Sequence, residues 1–104
     1  TGSHIFIVGI DEQTGQAIAM GRILSDEMQT GYIHDLCVLG EFRGQGVGTQ
    51  LLTSLIGEGR KAGIRSLFLV AEPDTSSFYE KSGFISQKGL IFFIMNMEGE
   101  YEDQ

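Results

Sequence analysis

One cysteine, Cys37, stands among 104 residues, so no disulfide can close within the chain and no zinc site built from several thiolates can form. Apolar runs are equally scarce. The longest, Ile5–Ile10 (broken by Gly9) and Leu90–Met95, fall far short of the roughly 20 residues of a spanning helix, and no membrane partner is expected. The N-terminus lacks the basic, apolar, small-residue order of a secretory signal, which makes the cytoplasm the default location. Thr1-Gly2-Ser3-His4 has the look of a cloning remnant. Positive charge is also in short supply: seven Lys and Arg against fourteen Asp and Glu give a net charge of −7, which repels a phosphate backbone and argues against nucleic acid as a partner. Within that deficit Arg43, Arg60, Lys61 and Arg65 lie close together mid-chain, whereas Glu98, Glu100, Glu102 and Asp103 crowd an acidic tail over 98–104. A local anion site is therefore compatible with an acidic protein.

The remaining composition, 41% hydrophobic and 20% charged, is that of a folded chain, and its length fits a single domain over 1–104. His4–Ile10 and Ala17–Leu24 are β-rich segments on either side of the turn-forming Asp11–Gln16, a pattern that predicts a hairpin. Strict alternation over Tyr32–Leu39 predicts a third strand with Tyr32, His34, Leu36 and Val38 on one face and Ile33, Asp35 and Cys37 on the other. Beyond the glycine-rich loop Gly40–Gly48, the residues Val47, Leu51, Leu52, Leu55 and Ile56 recur at helical spacing until Gly63. Ser66–Ala71 reads as a buried strand, and Glu72-Pro73-Asp74-Thr75 as a turn whose Asp or Thr is placed to cap a short helix over Ser76–Ser82 that ends at Gly83. Phe84–Ser86 and Leu90–Met97 are predicted as two final strands around Gln87-Lys88-Gly89. The order β-β-β-α-β-α-β-β describes a mixed α/β sheet with helices packed on it.

The chemistry concentrates in Glu41–Thr49, where a strand end, three alternate glycines and a helix start coincide. Glycines permit positive φ and close approach, so successive N–H groups can converge on phosphate oxygens, and the helix N-terminus adds a favourable partial charge. A P-loop would need Gly-Lys-Ser/Thr, but no lysine precedes Thr49. The dinucleotide pattern would need a third glycine at Thr49 or Leu51. Neither register fits.

Arg43-Gly44-Gln45-Gly46-Val47-Gly48 instead resembles the Q/R-x-x-G-x-G/A acyl-CoA pyrophosphate loop of the GCN5-related N-acetyltransferases. Upstream, Leu36–Phe42 is similar to that family's fourth strand and its exit, with Gly40 where proline is usual. Downstream, Phe78-Tyr79-Glu80-Lys81-Ser82-Gly83-Phe84 resembles its F-Y-x-K-x-G-F segment. The resemblance runs from His4 to about Met97 and implies the family's mixed, mostly antiparallel sheet. The family fold normally begins with one further strand and two helices. Their absence implies either a truncated chain or a short member whose acceptor wall comes from a second copy.

The same resemblance implies residue roles. The pantetheine arm of acetyl-CoA would lie along Leu36, Cys37 and Val38, with the Val38 N–H aimed at the thioester carbonyl. The diphosphate would fall to Arg43, Gly44, Gln45, Gly46, Val47, Gly48 and Thr49, mostly through N–H groups. Tyr79 corresponds to the tyrosine that protonates the departing thiolate, although beside Phe78 and Phe84 it equally reads as a core aromatic. An amine acceptor must lose a proton before it attacks, and His34, expected on the face of Val38, is the candidate base, with Glu72 acting through a water as runner-up. Cys37 is expected to be buried and inert. No metal is required.

Three readings follow: an acetyl-CoA-dependent N-acetyltransferase acting on a primary amine in a ternary complex, a non-catalytic acyl-CoA-binding module, and a ligand-free dimerisation domain. The last leaves the spacing of Arg43, Gly46 and Gly48 unexplained. The acidic surface suits a cationic amine. The apolar run Ile91–Met95 on a terminal strand suggests a homodimer.

Overall fold

Asp11–Gln16 turns because its residues bond to one another. Asp11 N–H donates to the Gln16 carbonyl (2.9 Å), Gly15 N–H to that of Asp11 (2.8 Å), and the Thr14 hydroxyl to Asp11 Oδ2 (2.8 Å). Gly15 supplies the positive φ of 75° that the turn needs. The computed structural model describes residues 3–26 and 29–97, and the acidic tail and Thr1-Gly2 lie outside them. Around that turn β1 (Ser3–Ile10) pairs antiparallel with β2 (Ala17–Ser25), which pairs antiparallel with β3 (Thr30–Val38). After a 3₁₀ turn at Gly40–Phe42 comes α1 (Val47–Lys61), then β4 (Ser66–Phe68), a second 3₁₀ turn at Pro73–Thr75, and α2 (Ser76–Glu80). The sheet order is β1-β2-β3-β4, with β4 parallel to β3. The expected mixed, mostly antiparallel sheet with packed helices is what the chain forms.

Helical spacing decides which face of α1 is buried. Leu51, Leu52 and Leu55 pack on the sheet face that carries Ile23 and Ile33, with Ile23, Leu52 and Leu55 fully buried. Burial of each such side chain is worth about 1.5–3 kcal/mol relative to exposure, so this layer is the main source of stability. Close packing needs glycine at Gly21, where an added Cβ would come within 2.9 Å of both Leu36 Cδ1 and Leu55 Cδ1. The helix stops where Gly63 takes a φ of 91° and Ile64 N–H turns back to the Gly59 carbonyl (2.9 Å). No helix among the described residues is long and apolar enough to cross a membrane.

Two regions depart from expectation. β4 covers only Ser66–Phe68 of the predicted Ser66–Ala71, and it is not a buried strand: Phe68 is 52% exposed and Val70 59%. Phe84–Ser86 and Leu90–Met97 join no ladder, and Leu90 through Met95 are between 60% and 85% exposed. The cause is common to both. β-propensity is realised only against a neighbouring strand, and a hairpin alone is marginal, so a short β4 with one open edge and an unpaired 84–97 segment accompany each other.

Candidate active site

Beyond Tyr32, β3 and β4 part company: only Thr30–Tyr32 pairs with Ser66–Phe68, which leaves residues 33–38 open along that edge. The direction of the open groups follows from the ladder. Leu39 N–H donates to the Ile18 carbonyl (2.8 Å) and so faces β2, and alternation turns the N–H and C=O of Val38 the other way, into the gap. Arg43 reaches back to this point, its Nε donating to the Val38 carbonyl at 3.2 Å.

The loop after β3 owes its shape to two left-handed glycines, Gly44 (φ 78°) and Gly46 (φ 85°), each with open space where a Cβ would sit. Gly48 serves differently. It is already helical, and the ring of Phe78 lies against it, with Cζ 3.4 Å from a would-be Cβ. Gly46 occupies the N-cap position of α1 without a side chain to cap the first amides. Among the described residues, the N–H groups of residues 44–49 have no protein acceptor, whereas Gln50 N–H bonds the Gly46 carbonyl at 3.0 Å. Six successive free donors at a helix N-terminus, with Arg43 alongside, form an anion cradle.

Strand edge, loop and α2 enclose a cavity of about 430 Å³ lined by Leu36, Cys37, Val38, Arg43, Gly44, Gly46, Gly48, Thr49, Thr75, Phe78 and Tyr79. Nine of the thirteen residues given site roles in the sequence meet there, and Glu72, the runner-up base, is not among them. Gln45 and Val47 do not line it: the Gln45 amide donates to the Glu41 carbonyl (3.2 Å), and Val47 packs against the cluster of Ile18, Ala19 and Leu51. Phe78 had no assigned site role in the sequence, and Thr75 was expected only as a helix cap, a bond its side chain does not make. Thr75 belongs to the turn that Pro73 opens and donates through Oγ1 to the Glu72 carbonyl (2.7 Å), so the Pro-Asp-Thr stretch was the available signal. Among the described residues, Arg43 is the only charged one in the lining. Tyr79 stands edge-on to Phe78 (5.0 Å) and Phe84 (6.0 Å), and burial pushes its phenol pKa above the ordinary tyrosine value.

Two expectations need correction. In the β2–β3 ladder Met20 pairs with Cys37 and Arg22 with His34, so Asp35 and Leu36 together face the single residue Gly21. This is a β-bulge, and it reverses the alternation. Gly31 and Ile33 point to α1 before it, Leu36 and Val38 after it. His34 therefore faces away from Leu36 and Val38 and is absent from the cavity lining; its ring lies 5.3 Å from that of Tyr32, which stacks on Phe68. The shared face on which its role as base depended does not exist. Cys37, expected to be buried, is exposed and borders the cavity.

Comparison with known proteins gives the family and the fold. Residues 1–84 match the family model described as Acetyltransferase (GNAT) family. The chain is 31% identical over 93 residues to the "Uncharacterized N-acetyltransferase ycf52" of Porphyra purpurea, covering 86% of this chain and 53% of that protein. It is 29% identical over 98 residues to "Glucosamine 6-phosphate N-acetyltransferase 1" of Oryza sativa subsp. japonica, covering 86% of this chain and 59% of that one. It thus spans a little over half the length of these relatives. The fold superimposes on the crystal structure of glucosamine-6-phosphate N-acetyltransferase from Arabidopsis thaliana with a TM-score of 0.77 at 22% identity, covering 89% of this chain and 67% of that one.

Proposed function

The chain belongs to the acetyltransferase (GNAT) family, and we propose that it transfers the acetyl group of acetyl-CoA to a primary amine by direct attack. One observation carries the reading: the loop of residues 44–49, whose six amides have no protein acceptor, borders through Gly44, Gly46, Gly48 and Thr49 a cavity whose opposite wall is the open edge of β3. A diphosphate satisfies the amides of the loop. A pantetheine arm, extended and rich in amide groups, suits the free edge of Leu36–Val38 as an added strand would.

In this reading the amine lone pair forms the new C–N bond at the thioester carbon, and negative charge develops on the carbonyl oxygen. The Val38 N–H, which points into the gap, stabilises that charge; one such preorganised donor is typically worth about 10²–10³ in rate. Collapse breaks the C–S bond, Tyr79 gives its proton to the leaving sulfur, and the proton that the attacking nitrogen sheds as it becomes an amide returns through solvent to the Tyr79 phenolate. Its desolvated ring keeps the phenol protonated across the physiological range, as a donor requires. Arg43 contributes charge to the diphosphate and, through the Val38 carbonyl, ties the loop to the strand that bears the oxyanion donor.

Calorimetric titration with acetyl-CoA, followed by thiol release over a panel of amines that includes glucosamine 6-phosphate, tests the proposal. That sugar is included because the rice relative is named a glucosamine 6-phosphate N-acetyltransferase. Micromolar binding with turnover on at least one amine is expected, and failure to bind acetyl-CoA refutes the reading. A second reading, a non-catalytic acyl-CoA-binding module, draws on the lining itself, which among the described residues has Arg43 as its one charge and neither carboxylate nor imidazole to deprotonate an ammonium. Binding without turnover on any amine favours it.

A further inference from the structure

Asp35 and Gln29 are the two non-glycine residues with positive φ among those described, and Asp35 (φ 58°) sits at the bulge of β3. A left-handed backbone costs most L-residues about 1–2 kcal/mol, and Asp and Asn are among the few that adopt it routinely. Asp35 is also held from outside. Arg22, the cross-strand partner of His34, brings Nε to 2.8 Å from Asp35 Oδ2, an ion pair whose N–H is not aligned as a hydrogen bond although Nε itself is shielded from solvent.

The consequence lies two and three residues downstream. Were the alternation of Gly31 and Ile33 to continue unbroken, residues 35 and 37 would face α1, driving the Asp35 carboxylate against Leu51 and Leu55 and turning Leu36 and Val38 outward. With the bulge, Leu36 drops into the space that Gly21 leaves and borders the cavity together with Val38. We infer that Asp35, kept on the solvent side by Arg22, is a positioning residue: its left-handed backbone sets the phase of β3 and thereby the aim of the Val38 amide. This rests on the acetyltransferase reading for its catalytic consequence but not for its structural one.

The test compares Asp35→Gly and Asp35→Asn, which keep access to the left-handed region, with Asp35→Val, which opposes it. Turnover and the amide NMR resonances of Cys37 and Val38 are both read. The valine variant is expected to lose about tenfold or more in kcat, and its KM for acetyl-CoA is expected to rise as well, because Leu36–Val38 also carries the pantetheine edge and the Val38 carbonyl accepts from Arg43. The glycine and asparagine variants are expected to match the unsubstituted protein in kcat and in both resonances. Asp35→Ala makes the same comparison with less strain should the valine variant be insoluble. Equal kcat and unmoved resonances in the glycine and valine variants overturn the inference. So does an equal loss in all three, which would make the carboxylate rather than the backbone responsible. If the unsubstituted protein acetylates no amine, the functional reading fails separately, and the Cys37 and Val38 resonances alone decide the role of Asp35.

Discussion

Gly46→Ala isolates the conformational requirement of the diphosphate loop. Gly46 has a φ of 85° and nothing within 4 Å of a would-be Cβ, so an alanine there meets no steric neighbour and only the backbone objects. That objection is about 1–2 kcal/mol for an L-residue in the left-handed region. If the loop relaxes to escape it, the amides of residues 46–48 turn from their common focus, and acetyl-CoA affinity falls by about 5- to 30-fold. Gly48→Ala is the internal control. Its backbone is already helical, and its Cβ would lie at ordinary contact distances, 3.4 Å from Phe78 Cζ and 3.7 Å from Val38 Cγ2, so a change of no more than about threefold is expected from a contact that can relax slightly. Calorimetric titration of both variants with acetyl-CoA, with thermal midpoints measured alongside, gives the answer. A Gly46→Ala protein that binds as tightly as the unsubstituted one, or a Gly48→Ala protein that binds more weakly than it does, would refute the reasoning.

Four further outcomes are expected. Arg43→Ala removes the bond to the Val38 carbonyl and the single charge of the cavity lining, so the acetyl-CoA dissociation constant should rise about tenfold and lose part of its salt dependence, both readable by titration at two ionic strengths. Tyr79→Phe keeps the ring contacts and deletes the proton donor; thiol-release kinetics should give kcat lower by about 10²-fold with acetyl-CoA affinity unchanged, whereas parallel losses would mark a packing role. Because burial raises the Tyr79 pKa in the folded state, the unfolded chain ionises first; this stabilising contribution is complete below the ordinary value of 10.0 and is lost as pH rises through the folded one, so thermal midpoints taken above pH 10 should fall less steeply in Tyr79→Phe. Gly31→Ala pushes a methyl to 2.8 Å from Ile23 Cγ2 and 3.0 Å from Leu67 Cδ2, and a destabilisation of about 1–3 kcal/mol by chemical denaturation is expected from such overpacking.

What could be read in the sequence was whatever depends on near neighbours. The anion cradle requires only that Gly44 and Gly46 accept positive φ and that α1 start at Val47, and both conditions lie within a few residues. The helix stop at Gly63 and the turn at Asp11–Gln16 are local for the same reason. The strand faces were not legible, since alternation gives the face of a residue only while the ladder is regular, and one extra residue reverses every assignment beyond it. Asp35 carries no apolar or glycine signal that distinguishes a bulge from a solvent-facing strand position. Its ion partner Arg22 is adjacent only through the fold. His34 was therefore assigned to the wrong face while Leu36 and Val38 were correctly grouped together.

The same distinction separates the two halves of the proposed chemistry. Donor recognition uses backbone amides, and a short loop can aim several of them at once because each peptide unit fixes the next. Deprotonation of an ammonium needs one side chain at one distance, and such a placement depends on strand phase, on helix docking and on whichever element closes the far side of the cavity. Among the described residues the lining offers Arg43, Thr49, Thr75, Tyr79 and the Cys37 thiol as its polar side chains, with neither carboxylate nor imidazole. If no group outside the lining, such as Glu72 through a water, takes the proton, an amine that turns over arrives with a neutral population of its own or loses its proton to solvent. Turnover should in consequence rise with pH toward the pKa of the amine itself, and a weakly basic acceptor should be acetylated faster at pH 7 than a strongly basic one of similar size. A pH–rate profile that instead plateaus at a pKa near 6.5 for every acceptor would point to an imidazole, and His34→Gln would identify it.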